Sequence, residues 1–353
     1  FTGTSRRTCH QPTNAAAGLF HIAANGRPGS RVGRETVVMS QHIPQWLQGS
    51  SGLWRTSDLI EAGLNKRRIG TLVKSRELVR VQWGCYAAGN PWRQLSESER
   101  ALQRVHAHNR TIVASSSVPV SYSHTSAARI FGLHLWDVDD RIHLTQSFAG
   151  ASRDRAAHVV RHFSHLREGE TALRCGVQVT SLARTVVDCA RILSYKQGLI
   201  VADHGMRMGT TRQELQKIVN RLSGHKGIQL ARRVVENASA LSESPGESLS
   251  RAIIQGLSIP LPQQQVVVHT RHGEHRLDFA WKDLKLALEF DGKTKYFDYA
   301  PTREVLYQER RREKALMEEG WTFIRIEWKD LFDEAALRGR ILRAWSAQRK
   351  LVG

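Results

Sequence analysis

Residues 276–293 read Arg276-Leu277-Asp278-Phe279-Ala280-Trp281-Lys282-Asp283-Leu284-Lys285-Leu286-Ala287-Leu288-Glu289-Phe290-Asp291-Gly292-Lys293. Period-two alternation puts Leu277, Phe279 and Trp281 on one face of a first strand, and Leu284, Leu286, Leu288 and Phe290 on one face of a second. Those faces make a core. The opposite face then collects Asp278, Glu289, Asp291 and Lys293, because a four-residue loop at 282–285 sets Trp281 against Leu286 and Asp278 against Glu289. Directly opposed residues have Cβ atoms about 4.5–5.5 Å apart, a gap that suits a shared cation. Carboxylates gathered on one strand face repel unless something compensates them. Mg²⁺, or Mn²⁺ in its place, would do so through oxygen ligands, and Lys293 could orient or help deprotonate an attacking water. The chemistry expected is hydrolysis of a phosphodiester. The alternative is a solvated, ion-paired strand face.

Upstream, Ser244-Pro245-Gly246-Glu247 is a capping box with Pro at the first helical position, so a helix runs from there to about Gly256. A proline-punctuated loop at 258–262 leads to a strand at 264–269 that turns at His272-Gly273. Asp278, a spacer and Asp291-Gly292-Lys293 together resemble the metal-dependent PD-(D/E)xK nuclease motif, and Leu288-Glu289-Phe290-Asp291-Gly292 is similar to the branch related to very-short-patch-repair endonucleases. An Arg-rich helix at 309–316, the Glu319-Gly320-Trp321 turn and the strand Ile324-Arg325-Ile326-Glu327-Trp328 extend the resemblance over about 243–345. It implies Asp278 and Asp291 as metal ligands, Lys293 as the water-orienting base, and Glu289 as a further ligand or its neighbour. Glu247 matches a glutamate that often joins such catalytic sites; its capping role explains it equally well. Leu277 stands where the motif's name has proline.

Charge divides the chain unevenly. Its 353 residues carry 52 Lys and Arg against 33 Asp and Glu, a formal net charge of +19. Residues 1–38 hold 5 basic and 1 acidic side chains, 39–241 hold 28 and 15, and 242–353 hold 19 and 17. The surplus upstream of residue 242 favours a polyanionic partner, since each cation set on a phosphate releases condensed counterions. No uninterrupted apolar run reaches the eighteen or more residues of a spanning helix, which excludes a membrane protein. Four cysteines, Cys9, Cys85, Cys175 and Cys189, lie far apart with no Cys-x-x-Cys pair, which fits a reduced, cytoplasmic setting.

Residues 43–88 give that surplus a shape. Thr56 or Ser57 can cap a short helix, Ala62-Gly63-Leu64 closes it, and Asn65 can cap a second helix with Ile69, Leu72 and Val73 on one stripe. Lys66, Arg67, Arg68, Lys74 and Arg76 fall largely outside that stripe. Two short strands follow about a turn at Gln82-Trp83, and Arg80 lies on the first. Helix, turn, basic helix and β-wing is the order of a winged helix-turn-helix. Gly52-Leu53, Ala62-Gly63-Leu64, Glu77-Leu78-Val79-Arg80-Val81 and Gly84-Cys85-Tyr86-Ala87 resemble the N-terminal domain of abortive-infection type IV antitoxins. That resemblance implies DNA binding through Lys66, Arg67, Arg68, Lys74, Arg76 and Arg80.

Four segments result: a disordered arm at 1–38, a winged helix-turn-helix at 39–95, a middle α+β domain at 96–240 and a nuclease-like domain at 241–353. The fold class expected is α+β and multidomain, with a middle α/β region and a C-terminal restriction-endonuclease-like mixed sheet with flanking helices. In the middle, strands at 141–145 and 157–163 precede helices around 181–193, 195–208, 211–222 and 228–240. His158, His162 and His165, or His269, His272 and His275, lack the cysteine or carboxylate company zinc usually keeps, so solvated histidines are expected. The function expected is Mg²⁺-dependent DNA endonuclease activity, as a nick, because cutting both strands needs two sites and so a homodimer. RNA is the second substrate class. The competing expectation is an antitoxin-like DNA-binding regulator with a catalytically silent nuclease fold.

Overall fold

The computed structural model describes residues 52–113, 119–148, 158–292 and 303–352, so the arm at 1–38 and Lys293 lie outside the described residues. The architecture is α+β in two compact units, the first running to Val120 with Leu173–Val177 added, the second taking Ser121–Ala172 and Gln178–Gly353.

In the first unit, β1 (Leu53–Arg55), α1 (Thr56–Glu61), α2 (Lys66–Lys74), β2 (Leu78–Gln82), β3 (Cys85–Ala88), α3 (Gly89–Gln94) and α4 (Glu97–Thr111) follow in order. The strands form an antiparallel sheet ordered β1-β3-β2. Asn65 starts α2 by accepting a hydrogen bond from the Arg68 N–H at 2.8 Å. Neither Thr56 nor Ser57 caps α1: the Arg55 N–H instead donates to Asp58 Oδ2 at 2.9 Å, and α1 begins one residue earlier. Gly84, at φ 76°, supplies the left-handed residue that a tight hairpin needs. Leu59, Ile69, Leu72, Leu78 and Tyr86 form the core beneath the two helices.

From Ser121 the chain forms β4 (Ser121–Tyr122), α5 (His124–Phe131), β5 (Ile142–Gln146), β6 (Val159–Phe163), β7 (Thr171–Arg174) and β8 (Val177–Thr180), in sheet order β6-β5-β4-β8-β7. Helices α6 (Leu182–Ile192), α7 (Tyr195–Arg207), α8 (Arg212–Arg221) and α9 (Ile228–Asn237) bury Val186, Val187, Val201, Leu215, Val219 and Val234 together. Fully buried Arg184 donates to Asp188 at 2.9 Å and to Glu170 at 3.1 Å, so the polar run after β8 anchors α6.

The chain continues through α10 (Pro245–Ile254), β9 (Gln263–Thr270), β10 (Gly273–Trp281), β11 (Leu286–Asp291), α11 (Arg303–Glu318), β12 (Thr322–Glu327), α12 (Trp328–Phe332) and α13 (Glu334–Val352). The sheet is mixed: its order is β12-β11-β10-β9, with β12 parallel to β11 and the others antiparallel. Leu249 and Ile253 of α10 and Leu337 and Ile341 of α13 pack with Phe279, Trp281, Leu286 and Leu288. Leu316 of α11 packs with Val266, Ala280, Ala287 and Trp321. Across the boundary expected at 240, Arg251 of α10 grips Asp203 of α7 through two 2.6 Å contacts, and both side chains are buried. Among the described residues, no helix is long and apolar enough to cross a membrane.

One expectation about the hairpin fails. Trp281 does pair with Leu286 across the four-residue turn, and Phe279 pairs with Leu288. Leu277, however, packs with Ala280, Ala287 and Leu316 rather than with Phe279 and Trp281. The alternation breaks at Asp278. Pairing of β10 with β11 begins only at Phe279, and pairing with β9 runs from Leu277↔Val266 to Phe279↔Gln264 without a bridge at Asp278. Gln265, which would face Asp278, has φ 52°, outside the extended region a regular ladder requires.

Candidate functional site

The lapse at Asp278 has a chemical consequence. Its Oδ2 accepts a hydrogen bond from the Phe290 N–H at 2.9 Å, so a side chain replaces the strand-to-strand bond where β10 parts from β11. Asp278 is thereby held by the backbone between Glu289 and Asp291. Glu289 is 7% exposed. It receives a hydrogen bond from Arg312 of α11 at 2.5 Å, and Arg325, its register partner on β12, lies 3.9 Å away. Asp291, half-buried, ends β11 opposite Glu327.

Glu247 comes from α10, where it bonds to the residues at the start of the helix. The Ser244 hydroxyl accepts the Glu247 N–H at 3.2 Å and donates to its Oε1 at 2.8 Å. Glu247 Oε2 accepts the Glu243 N–H at 2.9 Å and the Gln265 side chain at 3.1 Å. The same carboxylate feels the charge of Asp278. Gly246 allows this approach: a Cβ there would stand 2.0 Å from the Phe290 ring, so α10 can lie against β11 only without one.

Three carboxyls, Glu247, Asp278 and Glu289, are held above the ordinary carboxylate range, each chiefly by burial, which penalises the charged form. The Phe290 N–H and the Arg312 and Arg276 guanidinia oppose that rise at Asp278; Arg312 and Arg325 oppose it at Glu289. Asp278 adds repulsion to both neighbours. The cluster is therefore acidic, desolvated and only partly compensated.

No protein-family model matches the chain. Over 284 residues it is 29% identical to the uncharacterized proteins Rv2248 and MT2308 of two Mycobacterium tuberculosis strains, spanning 79% of this chain and 97% of theirs. The crystal structure of RV2827C from the same species matches with a TM-score of 0.36 and 15% identity, over 61% of this chain and 83% of that one. None of these names carries an activity.

Oxygen donors of this kind suit a hard divalent cation. As they stand, the carboxylates do not close into a ligand set: among the described residues, the one group of three or more histidine, cysteine or carboxylate side chains with all donor atoms within 4.8 Å is His124, His143 and His162. The sequence signal for that group was invisible in linear spacing, because His162 meets two residues from other elements and neither His158 nor His165.

In the first unit, Lys66, Arg67, Lys74, Arg76 and Arg80 are exposed and Arg68 is half-buried. The Arg80 guanidinium lies 5.2 Å from the ring of Trp83, which sits 78% exposed in the β2–β3 turn.

Proposed function

We propose that the protein is a Mg²⁺-dependent DNA endonuclease that nicks duplex DNA, its C-terminal sheet carrying the winged-helix-bearing chain's hydrolytic site. The observation that carries this reading is Asp278, a half-buried, metal-type donor held by the Phe290 N–H beside Glu289. A mixed sheet with helices on both faces and a parallel final strand agrees with a restriction-endonuclease-like domain. Asp278 and Asp291 would hold the ion, with Glu289 joining them on release from Arg312 and Glu247 adding a further carboxylate from α10. When bound, the ion supplies Lewis acidity at the phosphate and a more acidic water.

Affinity comes from the first unit in this reading. Lys66, Arg67, Arg68, Lys74, Arg76 and Arg80 surround α2 and the hairpin as a cationic surface for phosphates, and Trp83 offers an apolar plate beside Arg80. A second reading, an antitoxin-like DNA-binding regulator with a silent nuclease fold, draws support from the Arg312–Glu289 pair, which satisfies a would-be ligand without any metal.

Plasmid incubated with the protein separates them. Nicking in Mg²⁺ or Mn²⁺, stopped by EDTA and lowered at least about 10²-fold in Asp278→Asn and Asp291→Asn, is the expected result. Activity unchanged by EDTA or by both variants, or absent on DNA and RNA alike, leaves the regulator. Arg67→Ala/Arg68→Ala is expected to weaken duplex binding and reduce the slope of log affinity against log salt by about 2.

A further inference from the structure

Three imidazoles from three elements meet in the second unit. His124 opens α5, His143 lies on β5 and His162 on β6. One nitrogen from each lies within 4.8 Å of the other two. His143 Nδ1 and His162 Nε2 are 2.9 Å apart, and the His124 and His162 rings stack with centroids 3.6 Å apart. The strand register explains the first contact: Thr145 pairs with His162 and His143 with Val160 on parallel strands, so both histidines share one face. His143 Nδ1 and His162 Nε2 share a hydrogen bond; two nitrogens each about 2.0–2.1 Å from a tetrahedral zinc stand about 3.3 Å apart, so an ion replaces that hydrogen bond with a separation of only a few tenths of an ångström.

The surroundings resemble a built site more than a chance stack. His124 and His143 are each 2% exposed, and His162 is half-buried, which leaves one side of the cluster reachable. His124 holds φ 50°, a backbone conformation unfavourable for a residue with a side chain. Its Nδ1 is 2.9 Å from Ser123 Oγ, which accepts from Thr145 Oγ1 at 2.8 Å. Such outer contacts fix the orientation of ligating imidazoles. Arg184 and Arg191, two cations whose charge acts on His124, are paired with Asp188.

We propose that His124, His143 and His162 bind a divalent transition-metal ion of the zinc class, with three imidazole nitrogens as its protein ligands and a fourth position left to water. This site is separate from the carboxylate cluster in residues and in donor chemistry. It takes nitrogen-preferring ions and leaves Mg²⁺ to oxygen donors.

Full-length protein, stripped by chelator, would be titrated with Co²⁺ and then with Zn²⁺. The expected result is about one Co²⁺ per chain with visible d–d absorption, displaced by Zn²⁺ and not by Mg²⁺. His162→Gln, at the half-buried edge, and His143→Gln should lose those bands, with far-UV circular dichroism reporting the fold. Ser123→Ala should weaken binding by about 10–100-fold, whereas His158→Gln should bind as wild type. A wild type without bands, or folded His162→Gln with unaltered Co²⁺ affinity, overturns the assignment.

Discussion

The carboxylate cluster on α10, β10 and β11 and the imidazole cluster on α5, β5 and β6 belong to the same compact unit, yet they handle burial in opposite ways. At the first, burial raises the carboxyls, and the protein answers with its own donors: the Phe290 N–H on Asp278 and the Arg312 guanidinium on Glu289. At the second, burial lowers the imidazoles and leaves them neutral, so no counter-charge is needed. A desolvated anion must be compensated by charge inside the fold, whereas neutral imidazoles can satisfy one another by hydrogen bonding, as His143 Nδ1 and His162 Nε2 do at 2.9 Å. The comparison teaches that the acidic cluster carries an energetic penalty in the absence of a cation and the imidazole cluster does not.

The largest test strikes what the two share. Asp203→Ala removes the partner of Arg251 and the acceptor of Ser239 N–H and Ser248 Oγ, and is expected to destabilise the second unit by about 3–5 kcal/mol in urea unfolding. Both clusters should lose their binding together. Next comes Gly246→Ala, which drives a methyl into the Phe290 ring; a loss of about 1–3 kcal/mol is expected, with Mg²⁺-dependent nicking impaired and Co²⁺ binding at the histidines intact.

A finer test separates stability from function. Glu247, Asp278 and Glu289 have folded values above their ordinary ones, so the folded state holds protons more tightly than the unfolded chain. Their contribution to stability is best below the ordinary carboxylate range and is lost as pH rises through the raised folded values. Asp278→Asn keeps an acceptor for the Phe290 N–H and removes the charge. In metal-free buffer near pH 7 it should therefore melt no lower than wild type, or slightly higher, while losing nicking. A clear drop in its melting temperature would show that the ionised carboxylate is a structural asset, contrary to the contrast drawn above. The smallest effect expected is a rise in the wild-type melting temperature with Mg²⁺ that Asp278→Asn does not share.

Much of this was legible in advance, and the misses have identifiable causes. Asn65 as a cap and the 282–285 turn follow from local chemistry that tertiary contacts did not override. The face of Leu277 was misassigned because alternation presumes an unbroken ladder, and a buried carboxylate competing for the Phe290 N–H is not visible in hydrophobic pattern. Thr56 lost its expected capping role because Asp58 reached back to the Arg55 N–H first.

By itself the sequence determined helices α1, α2 and α6 to α10, the strands β5, β6 and β9 to β11, the basic surface of α2 and the gathering of acidic residues along one hairpin, because each depends on residues close in the chain. Only the tertiary structure decided that Arg312 crosses to Glu289, that Glu247 of α10 feels the charge of Asp278 on β10, and that His124, His143 and His162 meet. Those contacts join residues many positions apart, and their geometry is set by sheet register and helix packing, which no local spacing encodes.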